Sequence, residues 1–362
     1  MRIRMLSLSA ALLWLVSAGL SQNPRITNAT LHEIPAAGAL KPTFQGIMQQ
    51  QDAPAWIGYR IPAQRKERSM CCFASSDRVE SGSQCCQGCK LESGEDSFRG
   101  ASDCQPLEPA DYVFLLFRIE GRQIKKIRQF SPDCPLDAGG RSVYWIQDAS
   151  PAQSIEMLGE IAAGATEDEI RSERGLARQA VTAIAFHDVP SADQTLEKLI
   201  QPNLPAYVRE QVAFWLGEER GKKGLEILRK YVKADSSDRF RERAVIGFAQ
   251  SKEPEALVDL VSLGRNDPSP RVRKQAIFWL AQAGGRKEAE HITEAIENDP
   301  DTEVKKHAVF ALSQLPPSDA VPLLIHIATT NKNAVVRKQA VFWLGQTHDP
   351  RALDFLEQLL LR

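Results

Sequence analysis

The chain has 362 residues, of which 43% are hydrophobic and 25% are charged, values typical of soluble globular proteins. This length exceeds that of a typical single domain, so we expect two folded units. The formal net charge is −1, from 45 basic and 46 acidic side chains. The chain therefore lacks the excess of positive charge that attracts nucleic acid, and we predict no nucleic acid partner.

The first residues have the layout of a secretory signal peptide. Arg2 and Arg4 precede a largely apolar stretch, and small residues follow around Ala18. We predict a signal peptide over residues 1–22, with cleavage after Ala18, and an exported mature chain in the periplasm or outside the cell. The alternative is an uncleaved membrane anchor, which the short apolar core disfavours. No later stretch is long and apolar enough to span a membrane, so the mature chain is predicted not to do so.

All seven cysteines are clustered in the N-terminal half, and the chain after Cys134 contains none. In an exported chain such a cluster is typical of disulfides that stabilise a small domain with a weak core. Because seven is odd, one thiol is left over, either free or bridging two chains. A zinc site or a thiol-redox motif at Cys-Gln-Gly-Cys is the alternative. The cysteines are Cys71, Cys72, Cys85, Cys86, Cys89, Cys104 and Cys134, and the sequence leaves their pairing unknown.

Residues 23–149 are predicted to form this β-rich domain. The part before residue 60 is polar and is expected to be a loosely ordered lead-in, although Ala55–Ile61 has strand composition. Two further β-rich runs, Tyr112–Ile119 and Arg122–Phe130, flank the turn signal Glu-Gly and predict a hairpin. Ser142–Ile146 supplies a fourth predicted strand. The pattern does not identify the fold of this domain.

The C-terminal half carries the strongest signal, an internal repeat with a constant period. The motif Val-Arg-x-Gln-x-x-Phe-Trp-Leu begins at the evenly spaced Val208, Val272 and Val336. Weaker copies begin midway between them, at Phe240 and Val304, and the register extends back to residue 176. Apolar residues at offsets 0, 4 and 8 form one buried helical stripe, and a second apolar helix follows in each unit. Because each helix pair exposes an apolar face, the six units must stack.

The turn aspartate followed by Val-Arg-x-x-Ala-x-x-x-Leu, as at Asp267 and Val272–Leu280, resembles the HEAT-repeat family, including the short repeats of phycobilin lyases. The resemblance implies a mostly α chain, with a right-handed HEAT alpha-solenoid of about six two-helix repeats over residues 150–362. A small β-rich, cysteine-stapled domain precedes it. The stretch that contains Trp56–Tyr59 and the cysteine cluster is also similar to the leader domain of exported bacterial HEAT-repeat proteins of unknown function. This scaffold serves many tasks, so the fold assigns no activity.

Two columns of the repeat are predicted to be structural. A basic residue recurs one place into the first helix, and Asp or Asn recurs in the turns; in HEAT stacks such pairs form a hydrogen-bonded ladder. The alternative is a charged binding surface. A column that alternates Trp with Gly or Ala predicts core packing between units. The basic column is Arg209, Arg241, Arg273, Lys305 and Arg337, and the turn column is Asn203, Asp235, Asp267, Asp299 and Asn331.

A third column is the candidate binding surface. Aromatic residues recur at offset 6, about 240° around the helical wheel, whereas the buried stripe centres near about 40°. Glutamines run beside them and are suited to pairing with an extended backbone. An exposed apolar ridge of this kind usually marks a contact surface. The alternative is that neighbouring helices or the N-terminal domain cover it. The candidate residues are Phe214, Phe278, Phe310, Phe342, Gln275, Gln282, Gln339 and Gln346.

The sequence contains no zinc-protease, serine-hydrolase, phosphate-loop or dinucleotide motif. We therefore predict a non-catalytic scaffold, without cofactor or metal, that binds a protein or peptide in the cell envelope through its HEAT surface. The N-terminal domain is expected to cap the stack or to supply a second contact. The alternative is a thiol-redox or metal-binding protein that acts through its cysteines. Lyase activity, by analogy with the phycobilin lyases, is disfavoured by the export signal.

Overall fold

The computed structural model describes residues 24–36, 39–63, 84–86, 89–92, 104–106, 110–164, 175–283 and 286–361. The predicted signal peptide, Cys71 and Cys72 lie outside these residues. The strands are β1 (Ile26–Pro35), β2 (Ala55–Pro62), β3 (Gln84–Cys86), β4 (Cys89–Lys90), β5 (Cys104–Pro106), β6 (Tyr112–Glu120), β7 (Gln123–Phe130) and β8 (Leu136–Gln147).

The helices begin in the N-terminal domain and continue to the end of the described chain. They are α1 (Leu40–Gln49), α2 (Pro151–Ala163), α3 (Leu176–Phe186), α4 (Pro190–Leu199), α5 (Ala206–Glu219), α6 (Gly221–Ala234), α7 (Asp238–Gln250), α8 (Glu255–Asn266), α9 (Pro270–Ala283), α10 (Arg286–Asn298), α11 (Thr302–Ser313), α12 (Pro317–Thr330), α13 (Ala334–Gln346) and α14 (Pro350–Leu360). Within the described residues, no helix is both long enough and apolar enough to cross a membrane.

The N-terminal half is built on one mixed sheet with the strand order β1-β8-β2-β6-β7, and β4 also pairs with β8. β1 and β2 run parallel to β8, whereas β6 runs antiparallel to β2 and β7. The predicted hairpin is confirmed: β6 and β7 are joined by Gly121 and Arg122, both at positive φ, as a tight two-residue turn requires. The fourth predicted strand is also present, although β8 begins earlier, at Leu136.

The prediction of a loosely ordered lead-in before residue 60 is wrong. β1 pairs with β8 along its length, with a bulge next to Asn28, and α1 buries Leu40, Phe44 and Ile47 in the core. β1 is an edge strand and most of its side chains are exposed. Its polar sequence therefore lacks the alternation that identifies a half-buried strand, and backbone pairing holds it in place.

From Leu176 onwards the described helices form six successive pairs, as the repeat register predicts. The first helices of the pairs are α3, α5, α7, α9, α11 and α13, and the second helices are α4, α6, α8, α10, α12 and α14. Neighbouring first helices contact one another more extensively than neighbouring second helices do. The first helices therefore form the more closely spaced layer, on the inner side of a curved stack. Helix α2 precedes the pairs and packs on α3 and α4.

A continuous hydrophobic core joins the sheet to the first repeats. One face of the sheet, α1, α2 and the helices up to α9 contribute to a single buried cluster, and a second cluster continues it through the last repeats. The opposite face of the sheet has its own small core, which includes Trp56, Phe114, Cys89 and Cys134. The β domain thus covers the N-terminal end of the stack.

Candidate functional site

The arginine and aspartate columns form a buried ladder between repeats. Arg241 donates to both carboxylate oxygens of Asp267, at 2.8 and 3.0 Å, and to the carbonyl of Asp235 at 2.9 Å. Arg273 makes the same contacts with Asp299 and the carbonyl of Asp267. Each guanidinium therefore links the turn before its own helix to the turn of the next repeat. The predicted structural role is confirmed, and these charges are not available to a ligand.

The ladder changes in the last two repeats. Lys305 donates to the carbonyl of Glu297 at 2.6 Å. Arg337 donates to the carbonyls of Asn331 and Lys332, at 2.8 and 3.2 Å. Among the described residues, Lys305 has no carboxylate partner, because the following turn carries Asn331 in place of aspartate. The link between α11 and α13 therefore lacks the ion pair that joins the repeats before it.

The alternating column packs at the core, as predicted. Trp215 is buried against the rings of Phe186 and Phe214. The other two tryptophans of the column are half-buried and pack against the core; they are Trp279 and Trp343. A Cβ atom on Gly217 would overlap the backbone of Gly247 in the next first helix. The small residues thus allow α5 and α7 to touch backbone to backbone.

The predicted aromatic ridge is neither fully bare nor fully covered. Phe214 is half-buried and packs against the core. Phe278 and Phe310 are half-buried and stack on each other, with ring centroids 6.4 Å apart, and the ring centroid of Phe310 lies 5.2 Å from that of Trp343. Phe342 is 53% exposed. An apolar surface therefore runs along α9, α11 and α13, and the chain itself covers Phe214, Phe278 and Phe310 in part.

Polar side chains border this surface on both sides. Gln275 and Gln339 are half-buried and Gln282 and Gln346 are exposed; the structure shows no hydrogen bond to these four side chains within the described residues. His307 occupies the same column as Gln275, and its ring centroid lies 5.6 Å from that of Phe310. Burial lowers the pKa of His307, and the charge of Lys274 lowers it further.

A row of lysines, which was not predicted from the sequence, lies beside the aromatic residues. Lys274, Lys306 and Lys338 occupy offset 2 of the last three repeats, one helical turn before each Phe. Lys306 pairs with Glu303 at 3.0 Å. Within the described residues, Lys274 and Lys338 form no ion pair. The repeat register contained this signal, and it gives the C-terminal part of the surface a positive edge.

The first repeat shows what the glutamine column can bind. Gln179 occupies the column of Gln275 and Gln339, and its side-chain oxygen accepts a hydrogen bond from the backbone N–H of Ile127 in β7 at 2.6 Å. In turn, Gln129 of β7 donates to the carbonyl of Gln179 at 3.5 Å. β7 is an edge strand of the sheet, and α3 covers its open side. A glutamine of this column therefore binds an extended backbone inside the protein.

A buried hydrogen-bond chain, which was not predicted from the sequence, joins the two halves of the molecule. The hydroxyls of Tyr59 on β2 and Ser154 on α2 lie 2.9 Å apart, and the Ser154 hydroxyl lies 2.9 Å from Nε2 of His187. Nδ1 of His187 donates to the carbonyl of Ala183 at 2.8 Å, so Nε2 is the acceptor when the ring is neutral. Burial lowers the pKa of His187 to about 4 and raises that of Tyr59. Tyr59, Ser154 and His187 are all fully buried. This hydrogen-bond chain is therefore a structural junction between the two halves.

The cysteine domain is described only in part. Cys89 and Cys134 are buried and disulfide-bonded, and Cys86 pairs with Cys104 through the backbone of β3 and β5. The other cysteine side chains lie outside the described part of the chain. The prediction that disulfides staple the whole domain, and its redox and zinc alternatives, therefore stay predictions. Among the described residues, no cluster of His, Cys, Asp and Glu could hold a metal ion.

A cavity of about 380 Å³ lies on the sheet beside Glu92, Asp137 and Gly140. The Glu92 carboxylate is already occupied: it accepts two hydrogen bonds from Arg118, both at 3.1 Å, and one from Trp56 at 2.8 Å. Desolvation raises the pKa of Glu92, but these donors outweigh it and the pKa is lowered. The carboxylate therefore serves to hold β2, β6 and the cysteine segment together.

Known proteins share the helical half of this architecture. HEAT repeats match residues 193–281 and 289–362, and no curated protein matches the chain. Similar solved structures include human deoxyhypusine hydroxylase in complex with glycerol, with 16% identity over 57% of this chain and 89% of that chain and a TM-score of 0.28. Kap121p bound to Pho4p has 14% identity over 57% of this chain and 27% of that chain, with a TM-score of 0.37.

The complex of CpcE and CpcF of phycocyanin lyase from Nostoc sp. is also similar, with 18% identity over 56% of this chain and 80% of that chain and a TM-score of 0.27. At these TM-scores the similarity indicates nothing about activity. The family match lies within the helix pairs whose ladder and register are described above. The helical half of this protein therefore belongs to the HEAT-repeat family.

Proposed function

We propose that the protein is a non-catalytic scaffold that binds an extended segment of a protein partner along its first helices. The observation that carries the proposal is the contact between Gln179 and the backbone of Ile127. In this contact the glutamine column binds a strand in the first repeat, and the equivalent Gln275 and Gln339 have no such strand within the described residues. A partner strand would take the place that β7 has on α3.

The aromatic surface supports the same proposal and indicates what the partner contains. Phe310 and Phe342 offer apolar contact area that the chain covers only in part. Lys274 and Lys338 lie beside it without ion pairs in the described structure. The partner segment should therefore carry apolar side chains together with carboxylates, because opposite charges steer and align the two surfaces.

The spacing of the stack sets the length of that segment. Neighbouring helices lie about 8–10 Å apart, and an extended chain advances about 3.3 Å per residue. One repeat therefore corresponds to about three residues of an extended peptide. A segment of about six to nine residues would reach from α9 to α13.

The test is a selection of short peptides from a random display library against the full chain, followed by calorimetry on the selected peptides. We expect acidic peptides with apolar residues, whose affinity falls by about 30-fold or more when Phe278, Phe310 and Phe342 are all replaced by Ser. The substitution Val258→Ser removes another exposed apolar side chain, on α8, and should leave binding unchanged. If the triple variant binds like the wild type, this surface is not the binding site.

We further propose that the protein works outside the cytosol, in the bacterial envelope, with disulfides stabilising the β domain that covers the first repeat. The signal-like N-terminus and the disulfide-bonded Cys89 and Cys134 support this. Titration of free thiols in denaturant, together with metal analysis, separates this from the redox and zinc alternatives. More than about two free thiols, or one zinc ion per chain, would contradict the disulfide proposal.

A further inference from the structure

Between α9 and α13, the glutamine column of the binding surface is interrupted by one histidine. His307 on α11 lies between Gln275 on α9 and Gln339 on α13, one repeat away on either side. Its ring is half-buried, and the ring centroid lies 5.6 Å from that of Phe310. Because a glutamine carries no charge and a histidine titrates near neutral pH, this is the position at which the charge of the column can change with pH.

The charged groups beside His307 are mostly positive. Burial lowers the pKa of His307, and the charge of Lys274 on α9 lowers it further, so the ring is neutral at neutral pH. On α11 itself, Lys306 pairs with Glu303 at 3.0 Å. On α13, Lys338 occupies the same column as these two lysines. The causes of the pKa shift include no charged group of α10 or α12, which lie in the outer layer.

A carboxylate of a bound partner would reverse this balance. The step rests on the proposed function, in which an acidic segment lies along this surface. A carboxylate within about 4–6 Å of the ring would attract the imidazolium and offset the charge of Lys274, so the pKa of His307 would be higher in the complex than in the free protein. The complex would then take up a proton, and binding would strengthen as the pH falls from the pKa of the complex to that of the free protein.

We propose that His307 is a specificity-determining residue of the binding surface, which in its charged form pairs with a carboxylate of the bound segment and makes binding tighter in mild acid. Gln275 and Gln339 contact the backbone of the segment, in the way that Gln179 contacts the backbone of Ile127. His307 instead selects one of its side chains. The surface thus distinguishes an acidic residue at one position of the segment, and it does so more strongly as the pH falls.

The test is calorimetry of the full chain with the selected peptides, their termini blocked, at pH ~7.5 and ~5.5. The wild type should bind about 3- to 10-fold more tightly at the lower pH. Peptide carboxylates stay charged there, since they titrate near about 4. His187 stays neutral because its pKa is about 4, so the junction between the two halves is intact. Calorimetry in two buffers of different ionisation enthalpy should show proton uptake on binding.

The matched control is His307→Gln, which gives α11 the residue that α9 and α13 already carry in this column. This variant should bind close to the wild type at the higher pH and should show no gain at the lower pH. The other histidines are present in both proteins, so the difference between them isolates His307. Replacing the acidic residues of a selected peptide by amides, one at a time, should identify one residue whose loss also removes the gain.

The outcomes separate this role of His307 from the proposed function. Equal binding at both pH values, weaker binding at the lower pH, or a gain that persists in His307→Gln would each overturn the role of His307 and leave the peptide-binding surface in place. If the peptides bind equally well after Phe278, Phe310 and Phe342 are replaced by Ser, the proposed function fails, and the role of His307 fails with it.

Discussion

The first and the last described helix pairs follow the same repeat pattern, yet their surroundings in the structure differ. At the N-terminal end β7 lies on α3, and a hydrogen-bond chain from Tyr59 to His187 is sealed from solvent. At the C-terminal end Leu353 and Leu359 face solvent, although their counterparts one repeat earlier are buried. Whether a repeat residue is core or surface thus depends on the neighbour that follows. The predictions below test how strongly each position depends on that neighbour.

The largest effect is expected in the ladder. Arg273→Ala leaves the buried carboxylate of Asp299 without its guanidinium, and breaking a buried pair costs about 3–5 kcal/mol. Arg337→Ala removes the equivalent side chain in the last repeat, where only carbonyl contacts are lost, and should cost about 1 kcal/mol. Urea unfolding of the two variants measures the difference. Equal losses would mean that the interior and the end of the stack are stabilised alike.

The junction should make stability depend on pH. The pKa of His187 is lowered to about 4, chiefly by burial, whereas an unfolded histidine titrates near 6.5. Above pH 6.5 neither state binds the proton, and as the pH falls towards 4 only the unfolded state does. The free energy of unfolding should therefore decrease by up to about 3 kcal/mol between pH 6.5 and 4, with no further loss from this group below that range. Chemical unfolding of the wild type and of the His187→Gln variant across this pH range isolates the contribution of His187 to the pH dependence.

The smallest effect on stability is expected at two glycines that occupy the same column of the repeat. Gly217→Ala places a methyl group against the backbone of Gly247 and should cost about 2–3 kcal/mol through overpacking. Gly345→Ala meets open space in the last repeat and should stabilise its helix by about 0.5–1 kcal/mol. Thermal unfolding at low concentration measures both changes. A loss of stability in both variants would show that the end of the stack is as tightly packed as its interior.

The repeat half could be predicted from the sequence because each unit restates the same local pattern. The register located the helices, the ladder and the stacking, and the Glu-Gly turn signal located one hairpin. β1 was not predicted, because its partner in β8 lies 109 residues away in the sequence and most of its side chains are exposed. The junction of Ser154 and His187 was not predicted for a similar reason, since no short motif links residues 33 positions apart.

The candidate site was predictable in its columns but not in its exposure. The register identified every Phe and Gln in it, yet Phe214 is packed against the core while Phe342 is exposed. That difference comes from what lies beside each residue in space, and the repeat motif is the same at both positions. The strand that binds Gln179 comes from a different part of the chain, so its role could not be inferred from the repeat alone.

The ladder also couples the local unfolding of neighbouring repeats. Because Arg241 and Arg273 each bind the aspartate of the following repeat, unfolding of either repeat in such a pair breaks the contact between them. Within the described residues, Lys305 has no carboxylate partner in the turn at Asn331. Backbone amides in α13 should therefore exchange with solvent sooner than those in α7 and α9, whose helices are held by the ladder.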